Sequence, residues 1–139
     1  MSETERRRVL VVDDEQAICF CLAELIEAEG YATATAHDGE EALGWVRDNG
    51  PPLAMILDLM MPKLSGWDVL SALTESGAKP TPFPVIVVSA FPSAAKRTVD
   101  SYAPLAVFAK PVDVDRLFEA LARAELPPSR RSLPKRAAR

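Results

Sequence analysis

The sequence VLVVDDE at residues 9–15 decides the fold, because four consecutive aliphatic residues run directly into three acidic ones. A continuous aliphatic run of this length is typical of a strand buried on both faces of a parallel sheet. Four more short apolar runs follow, at residues 31–36, 53–57, 85–88 and 105–109. We therefore expect a sheet of five strands.

Segments with helical periodicity separate these runs, and one follows the last of them. Asp38, with Glu41 three residues later, reads as an N-cap with a capping-box partner, and Asp113 as the N-cap of the last helix. Gly30 and Gly50 stand where helices should end. This alternation predicts an α/β fold in which helices cover both faces of a parallel sheet.

The composition is that of one globular domain, with 139 residues, 48% of them hydrophobic and 26% charged. No apolar stretch reaches the length of a membrane span, and residues 1–8 lack the apolar region of a secretion signal. We expect a cytoplasmic protein that does not contact the membrane. Cys19 and Cys21 are then expected to be reduced thiols on the core side of the first helix.

Charge divides the chain into three parts. Residues 9–125 contain eight Lys/Arg and eighteen Asp/Glu, a balance of −10, whereas residues 1–8 carry +1 and residues 126–139 carry +5. We predict an N-terminal extension over 1–8, a folded domain over 9–125 and a flexible basic tail over 126–139. An acidic body makes nucleic-acid binding through the folded domain improbable.

Polar side chains follow the predicted strands at the point where each strand ends. Asp13 and Asp14 follow the first run, and Asp58, Ser89 and Lys110 close the third, fourth and fifth. Ligands of open α/β sheets bind at this carboxyl edge. Three carboxylates repel one another unless a cation compensates them, and Mg²⁺ favours carboxylate oxygens. The set predicts phosphoryl-transfer chemistry, with a carboxylate as nucleophile.

These residues resemble the receiver domains of two-component response regulators over roughly residues 8–125. The resemblance rests on four motifs that occur in order along the chain: VVDDE ending at Glu15, LDLMMP at 57–62 followed by Gly66, Ser89-Ala90, and Lys110-Pro111. It implies a flavodoxin-like three-layer sandwich with strand order 2-1-3-4-5 and five helices. In that order the Ala/Thr run at residues 31–36 is an edge strand.

The resemblance also implies a role for each site residue. Asp58 is expected to accept the phosphoryl group, with Lys110 and Ser89 contacting it. Asp13, Asp14, Asp58 and the main-chain carbonyl of Met60 are expected to hold Mg²⁺, for which Mn²⁺ can substitute. The Lys110–Pro111 bond is expected to be cis, as only X-Pro bonds adopt cis at low cost.

Four positions bear on switching or on the lifetime of the phosphorylated state. The family often carries an aromatic residue three positions before the lysine, but this chain has Val107 there. Phe108 is adjacent, and neighbouring strand residues point to opposite faces. The switch residues that the resemblance implies are Ser89, Phe91 and Val107, and with valine at 107 the signal is expected to use the loop around Phe91 or another surface. The resemblance implies that the positions of Met60 and Phe91, two residues after Asp58 and Ser89, flank the path of the attacking water. Both residues are bulky and apolar here, which predicts slow self-dephosphorylation.

The function that the resemblance implies is a signalling switch, not a turnover enzyme, since it catalyses only its own phosphorylation and dephosphorylation. The expected donor is a sensor histidine kinase or a histidine phosphotransfer protein, and the expected output is binding to a downstream protein. A stand-alone regulator is favoured, because residues 126–139 are too few for another module. The alternative is a module of a larger transcription factor or hybrid kinase. A phosphatase is disfavoured, because Met60 occupies the position of the acid it needs.

Overall fold

The computed structural model describes residues 7–74 and 81–131. Along these residues five strands alternate with five α-helices. The strands are β1 (Val9–Val12), β2 (Thr33–Ala36), β3 (Ala54–Asp58), β4 (Val85–Ser89) and β5 (Ala106–Ala109). The helices are α1 (Gln16–Ala28), α2 (Gly39–Asn49), α3 (Gly66–Leu73), α4 (Pro92–Val99) and α5 (Val114–Ala124). Two 3₁₀ turns are also present, at Asp100–Tyr102 and Pro128–Arg130.

All strands are parallel and lie in the order β2-β1-β3-β4-β5. The register aligns the ends of the strands, because Val12 pairs with Ala36 on one side and with Leu57 on the other. The predicted flavodoxin-like sandwich and its strand order are confirmed. The edge position predicted for the Ala/Thr run is confirmed as well.

The sheet separates two apolar cores. Successive residues of a strand face opposite sides, so Leu10 and Val12 pack against α2, α3 and α4, whereas Val9 and Val11 pack against α1 and α5. All four are at most 1% exposed. Burying each such side chain contributes roughly 1.5–3 kcal/mol, which explains why this strand is aliphatic throughout.

The helix ends agree with the sequence in most respects. The Asp38 side chain accepts a hydrogen bond from the backbone N–H of Glu41, and Asp113 accepts two from the first turn of α5. The Glu41 carboxylate accepts from the backbone N–H of His37, not from that of Asp38, so the predicted capping box is displaced by one residue. Gly30 and Gly50 adopt positive φ values of 101° and 86°, which glycine tolerates without strain.

Two expectations are corrected. Cys19 is buried, but Cys21 is exposed, because a step of two residues along a helix turns the side chain to another face. The spacing of Ala95, Val99 and Tyr102 in the sequence predicts a fourth helix near residues 93–102, but α4 ends at Val99 and the chain tightens into a 3₁₀ turn.

Parts of several predictions lie outside the described residues, namely residues 1–6 of the extension and 132–139 of the tail. Within the described part of the tail, residues 128–130 form one 3₁₀ turn. None of the helices in the described chain is both long enough and apolar enough to span a bilayer.

Candidate functional site

The carboxyl ends of β1, β3 and β5 bring three charged side chains together. The Lys110 Nζ atom lies 3.1 Å from an Asp13 oxygen and 3.3 Å from an Asp58 oxygen. The two aspartates are 4% and 3% exposed. One ammonium therefore bridges two buried carboxylates at the edge where the sequence predicted the site.

Asp14 completes the acidic cluster from the solvent side. Carboxylate oxygens of Asp13, Asp14 and Asp58 all lie within 4.8 Å of one another, and Asp14 is exposed. With Lys110 counted, the cluster has a net formal charge of −2 when all three carboxylates are ionised. A site with three oxygen ligands and this charge fits a hard divalent cation such as Mg²⁺.

Main-chain donors hold the two buried carboxylates in position. One oxygen of Asp13 accepts a hydrogen bond of 2.9 Å from the backbone N–H of Glu15. One oxygen of Asp58 accepts a hydrogen bond of 3.2 Å from the backbone N–H of Met60. In each carboxylate it is the other oxygen that contacts Lys110, so both side chains are fixed from two directions.

Burial and crowding shift the proton affinities of the site. Burial raises the pKa of Asp58 to about 6, and repulsion from Asp13 adds to the rise, while Lys110 and the Met60 N–H oppose it. Burial by itself lowers the pKa of Lys110, but its hydrogen bond to Asp13 and its attraction to Asp58 outweigh burial and raise it. Lys110 therefore remains an ammonium, while the charge on Asp58 is costly without a cation.

We expect Asp58→Asn to raise the free energy of unfolding of the protein in EDTA by about 1–2 kcal/mol at pH 8. Because the pKa of Asp58 is raised from 3.8 to about 6 on folding, the stability that proton binding supplies is complete below pH 3.8 and is lost as pH rises through about 6. The advantage of asparagine should therefore shrink towards pH 4, as urea unfolding at several pH values can measure.

The control is Asp48→Asn, since the Asp48 side chain is 70% exposed on α2. It should leave the pH dependence unchanged. Parallel stability curves for Asp58→Asn and the wild type between about pH 4 and pH 8 would contradict the cost assigned to the Asp58 charge.

Ser89 lies on the strand next to Asp58, one residue beyond Val88, which pairs with Asp58. It is 3% exposed, and its hydroxyl oxygen accepts a 2.9 Å hydrogen bond from the backbone N–H of Phe91. The Phe91 and Met60 side chains are 68% and 58% exposed, respectively. Two large apolar side chains thus lie at the solvent side of the loops that follow β4 and β3.

The strand that ends before Lys110 places Val107 and Phe108 on opposite faces of the sheet. Val107 packs with the core beneath α2, α3 and α4, and Phe108 packs with the core beneath α1 and α5. Phe108 therefore does not replace an aromatic residue at position 107, as the alternation of strand side chains predicted. The peptide bond between Lys110 and Pro111 is cis.

The structure adds supporting residues that the sequence analysis did not single out. The Cys19 thiol donates a 3.2 Å hydrogen bond to the backbone carbonyl of Asp13, which helps to hold that residue in position. Burial raises the pKa of Cys19 to about 11, which keeps it a thiol. No pattern distinguishes this cysteine from Cys21 in the sequence, because only helix phase determines which one faces the strand.

A second missed feature joins α3 to α4 and the turn that follows it. The Trp67 indole N–H donates a 2.8 Å hydrogen bond to the Thr98 hydroxyl, and the hydroxyls of Ser71 and Tyr102 lie 2.8 Å apart. In the sequence, helical spacing predicts that Trp67 and Tyr102 lie on helix faces, but it does not predict their partners, which are 31 residues away. Contacts over such separations are a product of tertiary packing.

A parallel sheet of order 2-1-3-4-5 with an acidic cluster and a lysine at its carboxyl edge defines the class of phospho-acceptor receiver domains. Residues 9–122 match the response regulator receiver domain family, to which this chain belongs. The response regulator MprA of Mycobacterium avium is 36% identical over 103 residues, which are 70% of this chain and 43% of that protein. MprA of Mycobacterium tuberculosis has the same identity and coverage. The chain thus spans less than half the length of these relatives.

Solved structures agree on the fold. A response regulator receiver protein from Pseudomonas putida superimposes with a TM-score of 0.77 at 27% identity, covering 85% of this chain and 97% of that one. The response regulator TrrA from Thermotoga maritima, solved as a complex with Mg²⁺ and BeF, has a TM-score of 0.71 at 33% identity. That comparison covers 85% of this chain and 98% of TrrA.

Proposed function

We propose that this chain is a phosphorylation switch in which Asp58 accepts a phosphoryl group from a phosphohistidine. The observation that carries the proposal is the bridge from Lys110 to Asp13 and Asp58 at the carboxyl edge of the sheet, with Asp14 beside it. This cluster places a nucleophile, a fixed ammonium and a set of cation ligands in one place. Positioning and charge neutralisation are most of what phosphoryl transfer requires.

In the proposed reaction an Asp58 carboxylate oxygen forms a bond to phosphorus as the bond from phosphorus to the donor histidine nitrogen breaks. Lys110 pairs with a phosphoryl oxygen, and Ser89 gives up its contact with the Phe91 N–H to hydrogen-bond another. Mg²⁺, or Mn²⁺ in its place, neutralises charge on the phosphoryl oxygens when bound. Its proposed ligands are Asp13, Asp14, Asp58 and the Met60 carbonyl.

The test is incubation with a small phosphodonor such as acetyl phosphate or phosphoramidate, followed by intact-mass measurement. We expect one phosphoryl group per chain in the presence of Mg²⁺ and none in EDTA, because three uncompensated carboxylates repel an anionic donor. Equal uptake with and without the metal would overturn the role given to the acidic cluster. Uptake of more than one group would overturn its assignment to a single aspartate.

The partners belong to the proposal. The donor is a sensor histidine kinase or a histidine phosphotransfer protein, the output is a contact with a downstream protein, and the location is the cytoplasm. A stand-alone regulator is the reading we favour. The competing reading, a module of a longer regulator, has one observation in its favour, the 43% coverage of MprA, and the length of the encoding reading frame decides between them.

Slow loss of the phosphoryl group is a further prediction of this proposal. Met60 and Phe91 expose large apolar side chains two residues after Asp58 and Ser89, respectively, and apolar groups at these places restrict the approach of water. We expect a half-life well above seconds after the donor is removed. Met60→Asn should shorten it, because an amide can hydrogen-bond an incoming water.

The matched variant is Phe20→Asn, which removes another exposed apolar side chain, 63% exposed on α1. It should leave the half-life unchanged. A wild-type half-life of seconds, followed by intact mass, would count against the shielding role of Met60 and Phe91.

A further inference from the structure

The pole opposite Asp58, where the strands begin, carries a cleft of about 480 Å³. Proline rings from the α2–β3 loop, the connection into β4 and the C-terminal 3₁₀ turn form most of its walls. These prolines are Pro51, Pro52, Pro82, Pro84 and Pro128. Because proline fixes its own φ angle, the walls are rigid before anything binds, and binding there costs little ordering entropy.

The charge of the cleft is opposite to that of the body. Arg7 and Arg131 line it, and among the described residues that line it there is no carboxylate, although residues 9–125 have a balance of −10. Neither arginine forms an ion pair within the described chain. The Arg131 Nε–H donates a 2.7 Å hydrogen bond to the Leu126 carbonyl, which fixes the guanidinium in place.

The surroundings of the two arginines differ. Burial lowers the pKa of Arg131, and the charge of Arg7 lowers it further, so the fold brings two like charges towards each other. An adjacent cavity of about 350 Å³ also includes Arg7, but there Glu29 and Glu125 supply carboxylates. Arg7 therefore lies between a cavity that contains two carboxylates and the proline cleft, whose described lining contains none.

We infer that this cleft binds a short acidic segment of a partner protein, with an apolar side chain against the prolines and carboxylates paired with Arg7 and Arg131. Guanidinium groups pair well with carboxylates because the fork geometry allows two parallel hydrogen bonds. A nucleic acid fits less well, because its binding needs many phosphate contacts and stacking rings. Among the described residues that line the cleft the one aromatic residue, Phe83, is 5% exposed.

This inference does not depend on the proposed phosphorylation of Asp58. The cleft lies at the amino ends of the strands, so a partner there leaves the carboxyl edge with Asp13 and Asp58 accessible. One molecule can then receive a phosphoryl group at one pole while it is bound to an acidic partner at the other.

The test uses the full chain and the fluorescein-labelled peptide Glu-Asp-Phe-Glu-Asp, with Gln-Asn-Phe-Gln-Asn as the uncharged control peptide. Fluorescence anisotropy should show binding of the acidic peptide only. The double variant R7Q/R131Q should weaken that binding about tenfold or more, since two charge-assisted pairs are lost. The variant R97Q/R116Q removes the same charge from exposed positions on α4 and α5 and should leave the affinity within about twofold.

A second measurement needs no variant and is therefore independent of any folding defect. Adding the acidic peptide to ¹⁵N-labelled wild-type protein should shift the amide signals of Asn49 and Phe83, which line the cleft. Absence of peptide binding overturns the inference, as does equal weakening by the two double variants. The inference is also overturned if the peptide still binds the R7Q/R131Q variant but no longer binds a protein that lacks residues 132–139. A DNA duplex and phosphatidylglycerol vesicles are tested in the same way. If either binds more tightly than the peptide and its binding depends on Arg7 and Arg131, the cleft is assigned to that partner and the proposal of an acidic protein segment is overturned.

Discussion

Replacing Asp58 by asparagine is expected to abolish phosphoryl uptake completely. Asp58 is the only one of the three clustered carboxylates that ends β3, and one of its oxygens lies 3.3 Å from the Lys110 ammonium. An amide has nearly the same shape but is a very poor nucleophile, so the site keeps its packing and loses the attacking oxygen. The measurement is the intact mass after incubation with acetyl phosphate and Mg²⁺.

Two controls separate chemistry from folding in this experiment. Asp48→Asn changes an aspartate whose side chain is 70% exposed on α2 and should take up the phosphoryl group like the wild type. Unfolding in urea should show that Asp58→Asn is at least as stable as the wild type, as its relieved repulsion predicts. Normal uptake by a folded Asp58→Asn protein would end the assignment of this residue as the acceptor.

Replacing Gly66 by alanine is expected to cost about 3 kcal/mol of stability, at the upper end for overpacking a tight site. A β-carbon there lies 2.6 Å from the Asp58 carbonyl oxygen and 2.6 Å from the Leu59 α-carbon. Both contacts are with backbone, which cannot turn away as a flexible side chain can. The first turn of α3 must move, or the chain that follows Asp58 must, so phosphoryl uptake should fall as well.

Gly44→Ala is the matched control, because Gly44 lies inside α2 and a β-carbon there meets only the end of the Arg47 side chain, at 3.4 Å. It should raise the free energy of unfolding by about 0.5–1 kcal/mol, through the better helix propensity of alanine. Urea unfolding measures both variants. If the two substitutions changed the free energy of unfolding equally, Gly66 would not be required for the close approach of α3 to β3.

The sequence predicted the sheet well because each strand carries its own signal. Residues 9–12 and 85–88 are aliphatic throughout, and only a strand covered on both faces requires that pattern. The parallel arrangement then aligned the ends of the strands, so that Asp13, Asp58 and Lys110 had to meet at one edge. The site was predictable because its residues are fixed by where strands stop, which local sequence marks clearly.

Features that depend on helix phase or on distant partners were not predictable in this way. Cys19 supports Asp13 and Cys21 does not, and a difference of two helix positions decides between them. Trp67 and Thr98 meet through the packing of α3 against α4, since neither sequence segment contains information on the other.

The sequence by itself therefore determined the five strands, their shared polar edge and the charged residues that meet there, because aliphatic runs and the polar residues that end them are local features of the sequence. Only the tertiary structure decided what lies at the other pole. Arg7 and Arg131 are 124 positions apart in the chain, and their meeting in a cleft with proline walls follows from how the C-terminal turn packs back beside the start of β1. Such a juxtaposition depends on the path of the whole chain, which no short stretch of residues specifies.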